Sequence, residues 1–113
     1  MERQVRLTSG FWVGAYVRRC HVAGAYAVVA RRGAEEAGAI FLRIDKLDGR
    51  IDLYGPLPQI LVDAEGTADR QFERLIADGD GESVGARLDR ELRFDPDLWI
   101  VDVEDRTGTA HLD

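Results

Sequence analysis

Five acidic side chains lie close together near the C-terminal end of the sequence and form its densest group of residues able to do chemistry: Asp95, Asp97, Asp102, Glu104 and Asp105. Carboxylate oxygens bind hard cations such as Mg²⁺, and a bound cation can activate water for phosphodiester hydrolysis. On a strand, Asp102 and Glu104 would share one face. With Asp97, and with Lys46 from a neighbouring strand, they would form the site of a metal-dependent nuclease or phosphodiesterase.

A more ordinary interpretation of these acids has more support in the sequence. Asp95 and Asp97 flank Pro96 and are typical turn residues, and Asp102 and Glu104 fit a strand with one solvated face. The spacing matches no catalytic motif. We therefore expect no catalytic residue, no metal and no other cofactor, and we keep the nuclease set as an alternative.

Two pairs of arginines indicate a different activity. Arg18 and Arg19 fall near the end of a predicted helix, and Arg31 and Arg32 follow a predicted strand. If both pairs face one pocket, these four binding residues would hold a phosphate, a nucleotide or an acidic segment of a partner. Pairing with nearby acids such as Glu35 is the ordinary alternative.

The cysteine and the histidines give weaker signals. Cys20 precedes His21, but adjacent helical residues do not face each other, and Cys20 lies on the apolar stripe of its helix. We expect a buried core cysteine rather than a nucleophile. His111 lies in a predicted tail, which argues against a metal site built on both histidines. The loop at 78–82 resembles half a calcium loop, but Ser83 and Asp89 occupy its sixth and twelfth positions instead of glycine and glutamate.

Composition limits the class of protein. A length of 113 residues, with 45% apolar and 32% charged residues, is typical of one globular domain. The net charge of −6 argues against nucleic-acid binding by bulk charge. One cysteine allows no intrachain disulfide and suits a reducing compartment. Residues 1–9 lack the apolar core of a signal peptide, and no apolar run is long enough to span a bilayer. We expect a cytoplasmic protein that does not bind membranes.

The elements in the first half follow from periodicity and turn signals. Ser9 is the predicted N-cap of a helix that runs to Val22 and stops at Gly24. Strands are predicted at 25–30 and 39–46. The turn Asp48–Gly49 then leads into a third strand at about 51–54. A short strand at 59–63 is also considered, and the segment 69–77 fits either a helix or a strand, of which we favour the strand.

The second half contains a helix and a closing strand. Ser83 is the predicted N-cap of a helix that runs to about Arg93, with apolar residues at successive turns. Pro96 prevents its continuation, and residues 98–104 form the last strand. The short connections favour antiparallel pairing. The sequence thus predicts a single small α+β domain over residues 1–113. It has a mostly antiparallel sheet, an N-terminal helix and a second helix before the last strand. Both helices are expected on one sheet face, and 1–8 and 107–113 as loose termini.

Several short motifs occur in a fixed order and together resemble a known family. They are Trp12–Val13, Arg18–Cys20, Val28–Val29, Arg31–Gly33, Gly38–Ala39, Leu47–Gly49, Asp52–Pro56, Phe94–Trp99 and Val103–Arg106. In this order they are similar to a small alphaproteobacterial domain family of unknown function, and the likeness covers nearly the whole chain. The resemblance implies a compact bacterial cytoplasmic protein, and no catalytic residue comes with it.

The function that the sequence favours rests largely on missing motifs. It contains no phosphate-binding glycine pattern and no serine-centred nucleophile motif. We therefore interpret the chain as a non-catalytic protein-interaction or regulatory module. Its expected partner is another protein or a second copy of the chain, bound through an edge strand or through the first helix.

Overall fold

Two helices and five strands build the fold in the computed structural model, which describes residues 7–58 and 70–112. The elements in chain order are α1 (Ser9–Val22), β1 (Tyr26–Arg31), β2 (Ile40–Asp45), β3 (Ile51–Pro56), β4 (Phe72–Gly79), α2 (Gly81–Phe94) and β5 (Trp99–Glu104). This order confirms the predicted α+β class. The favoured strand within 69–77 is confirmed as β4, and the strand considered at 59–63 lies outside the described residues.

The five strands form one sheet in the order β1-β5-β2-β3-β4. Three of the four neighbouring pairs are antiparallel, which confirms the mostly antiparallel sheet, and β2 and β5 are parallel. β5 can run parallel to β2 because the chain passes through β3, β4 and α2 before it returns as β5. Such a return is long enough for the crossover that parallel strands require.

The two helices cover opposite faces of the sheet. In β2, Leu42 packs in a cluster with Tyr16 of α1, whereas Phe41 packs in a second cluster with Val84 and Leu88 of α2. Because successive strand residues point to opposite faces, we call these the α1 face and the α2 face. The expectation that both helices share one face is wrong. The central strands are apolar on both sides, as strands covered on both faces must be.

The N-cap residues of both helices lie upstream of the residues predicted for them. Thr8 caps α1, since its Oγ1 accepts a hydrogen bond from the N–H of Phe11 at 3.2 Å, whereas Ser9 is a fully buried helical residue. Asp80 caps α2, since its Oδ1 accepts from the N–H of Ser83 at 2.7 Å. That hydrogen bond also lowers the pKa of Asp80. A cap is chosen by the path of the chain into the helix, which residue type alone does not settle.

The loop between β1 and β2 holds the start of β5. The N–H of Ala34 donates to the carbonyl oxygen of Asp97 at 2.8 Å, and the indole N–H of Trp99 donates to the carbonyl oxygen of Ala34 at 2.8 Å. The N–H of Trp99 also donates to the carbonyl oxygen of Ala39 at 2.7 Å. A side chain at Gly33 would place its Cβ 2.2 Å from the Asp97 oxygen, so the loop needs glycine there.

Residues 107–112, for which the sequence predicted a loose terminus, lie against α1. The hydroxyl of Tyr16 donates to the carbonyl oxygen of Ala110 at 2.7 Å, and Arg19 donates to the carbonyl oxygen of His111 at 3.0 Å. Ala110 and Leu112 pack on the core cluster beneath α1. Neither helix in the described ranges is long and apolar enough to cross a membrane.

Replacing Trp99 by alanine should lower the free energy of unfolding by about 3–5 kcal/mol. The side chain is 2% exposed, and its loss would leave a cavity and remove the indole hydrogen bond to the carbonyl oxygen of Ala34. Urea unfolding measures the change. The matched control is Phe94→Ala, because Phe94 is 88% exposed and its loss should cost less than about 0.5 kcal/mol. Equal losses for the two variants would contradict this account of the core.

Candidate functional site

The structure does not bring together the four residues of the predicted nuclease site. Asp102 lies on the α2 face, where it accepts two hydrogen bonds from Arg43 at 2.7 and 3.1 Å. Glu104 shares that face and is exposed at the end of β5. Lys46 follows β2 with the alternation of the α1 face, and Asp97 lies in the turn before β5. A lysine on one face and the acids on the other cannot act on one substrate atom.

Lys46 instead belongs to a group of charges around one buried carboxylate. Its Nζ lies 3.3 Å from Asp52, whose side chain is 2% exposed, and 2.5 Å from Asp78. The N–H of Asp78 also donates to Oδ1 of Asp52 at 2.8 Å, and Nη1 of Arg74 lies 3.6 Å from Oδ2 of Asp52. The hydrogen bond to Asp78 is the main cause of a raised pKa at Lys46, and the same bond lowers the pKa of Asp78.

Asp52 is the polar residue that sequence reasoning missed. It follows Ile51 and precedes Leu53 on an alternating strand, a pattern that places it on the face opposite these two residues and toward solvent. The structure buries the Asp52 side chain on that face, where Asp52 pairs in register with Ile44. The signal that could have identified it is Lys46, which is spaced to follow the same face from β2. The group is best described as a structural ion network.

Replacing Asp52 by alanine should cost about 2–3 kcal/mol of unfolding free energy, because the N–H of Asp78 would lose its acceptor and Lys46 one of its two carboxylate partners. Denaturant unfolding at neutral pH measures this loss. Glu91→Ala is the control, since it removes a half-buried helix pair with Arg87 on α2 at 2.9 Å and should cost only about 0.3–0.5 kcal/mol. A loss at Asp52 no greater than that of the control would show that the network is not structural.

The two arginine pairs lie at opposite ends of α1. Arg19 donates to His111 near the end of the helix. Arg32 pairs with Glu35 at 3.3 Å, and the carbonyl oxygen of Glu35 accepts from the N–H of Gly10 at the start of the helix. A helix of 14 residues is about 21 Å long. The described structure therefore contains no pocket that Arg18 and Arg19 share with Arg31 and Arg32.

Cys20 and His21 do not form a reactive pair. Cys20 is fully buried in the core cluster, and burial is the largest cause of the raised pKa of its thiol. His21 points away from it, and its Nε2 lies 3.0 Å from the carbonyl oxygen of Ala27. The prediction of a core cysteine is confirmed.

His111 takes part in a local clasp with Asp105. Its Nε2 lies 2.7 Å from Oδ2 of Asp105, and the hydroxyl and N–H of Thr107 donate to Oδ1 at 2.6 and 2.8 Å. Burial by itself raises the pKa of Asp105, but the hydrogen bonds from Thr107 and His111 outweigh burial and lower it. The carboxylate thus fastens the chain end beside α1.

The lowered pKa of Asp105 predicts a stability that depends on pH. A carboxyl group with a lowered folded pKa stabilises the protein above its unfolded pKa of about 3.9, and this contribution disappears as the pH falls through the folded value. The stability difference between the wild type and Asp105→Asn should therefore shrink between about pH 5.5 and pH 3. Urea unfolding across this range measures it. Thr107→Val should remove part of the pH dependence, and a constant difference would contradict the role of the clasp.

The acidic loop at 78–82 is used by the fold. Asp78 pairs with Lys46, and Asp80 caps α2. Within residues 7–58 and 70–112, no three His, Cys, Asp or Glu side chains are arranged to hold a metal ion. The loop therefore offers no calcium site in the described chain.

A cleft of about 440 Å³ opens beside the start of α1. Its walls include Ile40, Leu57 and Phe72, and its charged lining residues are Glu36 and Arg70. Arg70 donates to the carbonyl oxygen of Leu7 at 2.8 Å. The lining residues contain no nucleophile with an adjacent base, so the cleft carries no evident chemistry.

The outer edge of β1 differs from the groups above because no other described strand pairs with it and its side chains are exposed and apolar. Among the described strands, β1 pairs with β5 alone. Four of the eight exposed large apolar side chains in the described residues fall within 22–29: Tyr26, Val28 and Val29 belong to β1, and Val22 is the last residue of α1 beside it. We call these four residues the β1 edge surface. A charged or polar edge is the usual arrangement in soluble proteins, so this apolar edge is the candidate functional site.

The direction of the backbone groups along β1 follows from two contacts. His21 binds the carbonyl oxygen of Ala27, and the N–H of Ala25 donates to the carbonyl oxygen of Cys20 at 2.9 Å. Both residues thus direct backbone groups away from β5. Because alternate residues of a strand direct these groups to the same edge, those of Val29 also face the open side.

Comparison with known proteins places the chain in a family. The model of a protein family of unknown function, DUF1491, matches residues 7–113. The chain belongs to this family. No curated protein matches the chain. The resemblance to a family of unknown function, drawn from the short motifs, is confirmed.

Solved structures of similar proteins agree with the fold of this DUF1491 chain. The solution structure of an A. tumefaciens protein has 49% identity and a TM-score of 0.79, covering 88% of this chain and 86% of that protein. The crystal structure of a DUF1491 protein from Caulobacter crescentus has 30% identity and a TM-score of 0.77, covering 96% and 94%. An NMR structure of a DUF1491 protein from the same organism has 31% identity and a TM-score of 0.77, again covering 96% of this chain and 94% of that protein.

Proposed function

We propose that this DUF1491 chain is a non-catalytic interaction module that binds an extended segment of a protein along the open edge of β1. The observation that carries the proposal is the β1 edge surface, where exposed apolar side chains lie along a strand edge that no other described strand pairs. An added strand would gain main-chain hydrogen bonds and cover these side chains, as in other complexes formed by strand addition.

The way the edge is protected supports this proposal. Proteins that keep an edge strand unpaired use charges, proline or bulges to block it. β1 has an irregular register between Val29 and Arg31, and His21 shields the carbonyl oxygen of Ala27. Between these two features, Val28 and Val29 leave the middle of the strand apolar. The edge is limited in length but open at its centre, which suits recognition of a short segment.

The internal pairing of the other candidate groups also supports a role without catalysis. Lys46 and Asp102, from the nuclease alternative, are each paired within the fold. Arg19 and Arg32, from the anion-binding alternative, bind groups at opposite ends of α1. The net charge of −6 disfavours nucleic acid as the partner. We propose a protein partner, met in the cytoplasm, since the one cysteine suits a reducing compartment.

A photo-crosslinking amino acid placed at Val28 should trap the partner in living cells. Val28 is 43% exposed at the centre of the strand. Irradiation should give an adduct of higher mass, seen on a denaturing gel and identified by mass spectrometry. The control is the same amino acid at Asp89, which is exposed on α2. The absence of adducts from position 28, or the same adducts from both positions, would overturn the proposal.

A further inference from the structure

We infer that the segment bound along β1 is β1 of a second copy of this chain, paired antiparallel about a twofold axis at Val28. The inference rests on the proposed function and names its partner. Three features of the described residues carry it: the direction of the backbone groups, the side chains that the α2 face presents, and the charges at the two ends of the strand.

The backbone of β1 is suited to pairing with itself. Ala27 and Val29 direct their N–H and carbonyl groups to the open edge, and Val28 lies between them. The carbonyl oxygen of Ala27 contacts Nε2 of His21 at 3.0 Å, so pairing of two copies replaces this contact with a hydrogen bond from Val29 of the other copy. With the twofold axis at Val28, Ala27 of each copy lies opposite Val29 of the other. An antiparallel pair of residues in this position exchanges two hydrogen bonds. The two Val28 side chains then face each other as a non-hydrogen-bonded pair, in which side chains approach most closely.

The side chains on the α2 face also complement their own copy. Val28 pairs in register with Asp102, and Arg31 pairs with Ile100, and both partners lie on the α2 face. Because the register shifts after Val29, Arg31 therefore lies on the same face as Tyr26 and Val28. In an antiparallel pair, Tyr26 of each copy approaches Arg31 of the other, whose Nη2 is held by the carbonyl oxygen of Pro96 at 2.6 Å in its own copy. A guanidinium group over an exposed tyrosine ring forms a favourable cation–π contact. Valine at the centre with a Tyr–Arg contact on each side forms an isologous interface.

The charges at the two ends of β1 select the antiparallel direction. Arg31 lies at its C-terminal end and is followed by Arg32, which pairs with Glu35, whereas Glu104 lies beside Tyr26 at its N-terminal end. Glu104 is exposed, and within the described residues its side chain takes part in no hydrogen bond or ion pair. Asp102, by contrast, is bound by Arg43. Antiparallel pairing brings the basic end of one copy onto the acidic end of the other, and parallel pairing would bring like charges together. This complementarity identifies a second copy as the partner.

Disulfide trapping in the full chain tests the register. With Val28→Cys, two new thiols would face each other across the axis, and mild oxidation should convert most of the protein into a covalent dimer. Val29→Cys is the matched control. Its residue is offset from the axis and points to the other face, so it should link to a much smaller extent. The native Cys20 is fully buried and gives little background. Equal linking at both positions would overturn the register.

Light scattering coupled to gel filtration tests the partner itself. The wild type should elute as a concentration-dependent dimer. Glu104→Arg should raise the dissociation constant at least about tenfold by placing like charges together. Asp89→Arg, which changes the net charge equally on α2, should leave the dissociation constant unchanged. Circular dichroism and the thermal midpoint confirm that both variants fold.

The outcomes separate the two proposals. A monomeric wild type at all accessible concentrations would overturn the inference of a second copy. If the crosslinker at position 28 still captured one different protein in cells, the edge would remain an interaction site with another partner. If neither a dimer nor an adduct formed, both the inference and the proposed function would be overturned.

Discussion

The contact between the loop after β1 and the first residues of β5 is the constraint on which the rest of the fold depends. β1 and β2 are consecutive in sequence but are separated in the sheet by β5, the last strand of the chain. The loop between them must therefore pass over the start of β5. Its hydrogen bonds to Asp97 and Trp99 fix where β5 enters. The same loop supplies the carbonyl groups that accept the first N–H groups of α1. One loop thus sets the positions of two strands and one helix.

Local patterns in the sequence predicted the elements well. The stripe of Val84, Leu88 and Leu92 predicts α2, and the turn Asp48–Gly49 predicts the β2–β3 hairpin, because these signals depend on residues close in sequence. Cys20 was predicted as a core residue for the same reason. The segment at 69–77 was ambiguous, because its apolar residues fit both periodicities, and its pairing with β3 decided the outcome.

Features set by distant contacts could not be predicted. The burial of Asp52 depends on Lys46 and on Asp78, and no local pattern shows that these groups meet. Asp102 and Glu104 indicated a solvated strand face, and this correctly describes the end of β5 on the α2 face. The arrangement of helices on both faces requires the strand order, which follows from the insertion of β5. The open edge of β1 has the same origin, since a strand is an edge only with respect to its neighbours in the sheet.

The interior position of β5, the last strand described, has a consequence for synthesis of the protein. When the ribosome has made residues as far as α2, the sheet still lacks β5, and no strand lies between β1 and β2. The apolar residues of β1 are then exposed on two edges rather than one. The nascent chain therefore cannot complete its core until residues 99–104 have left the exit tunnel. Folding of the sheet is then expected to finish in one late step, in which β5 joins β1 to the other three strands.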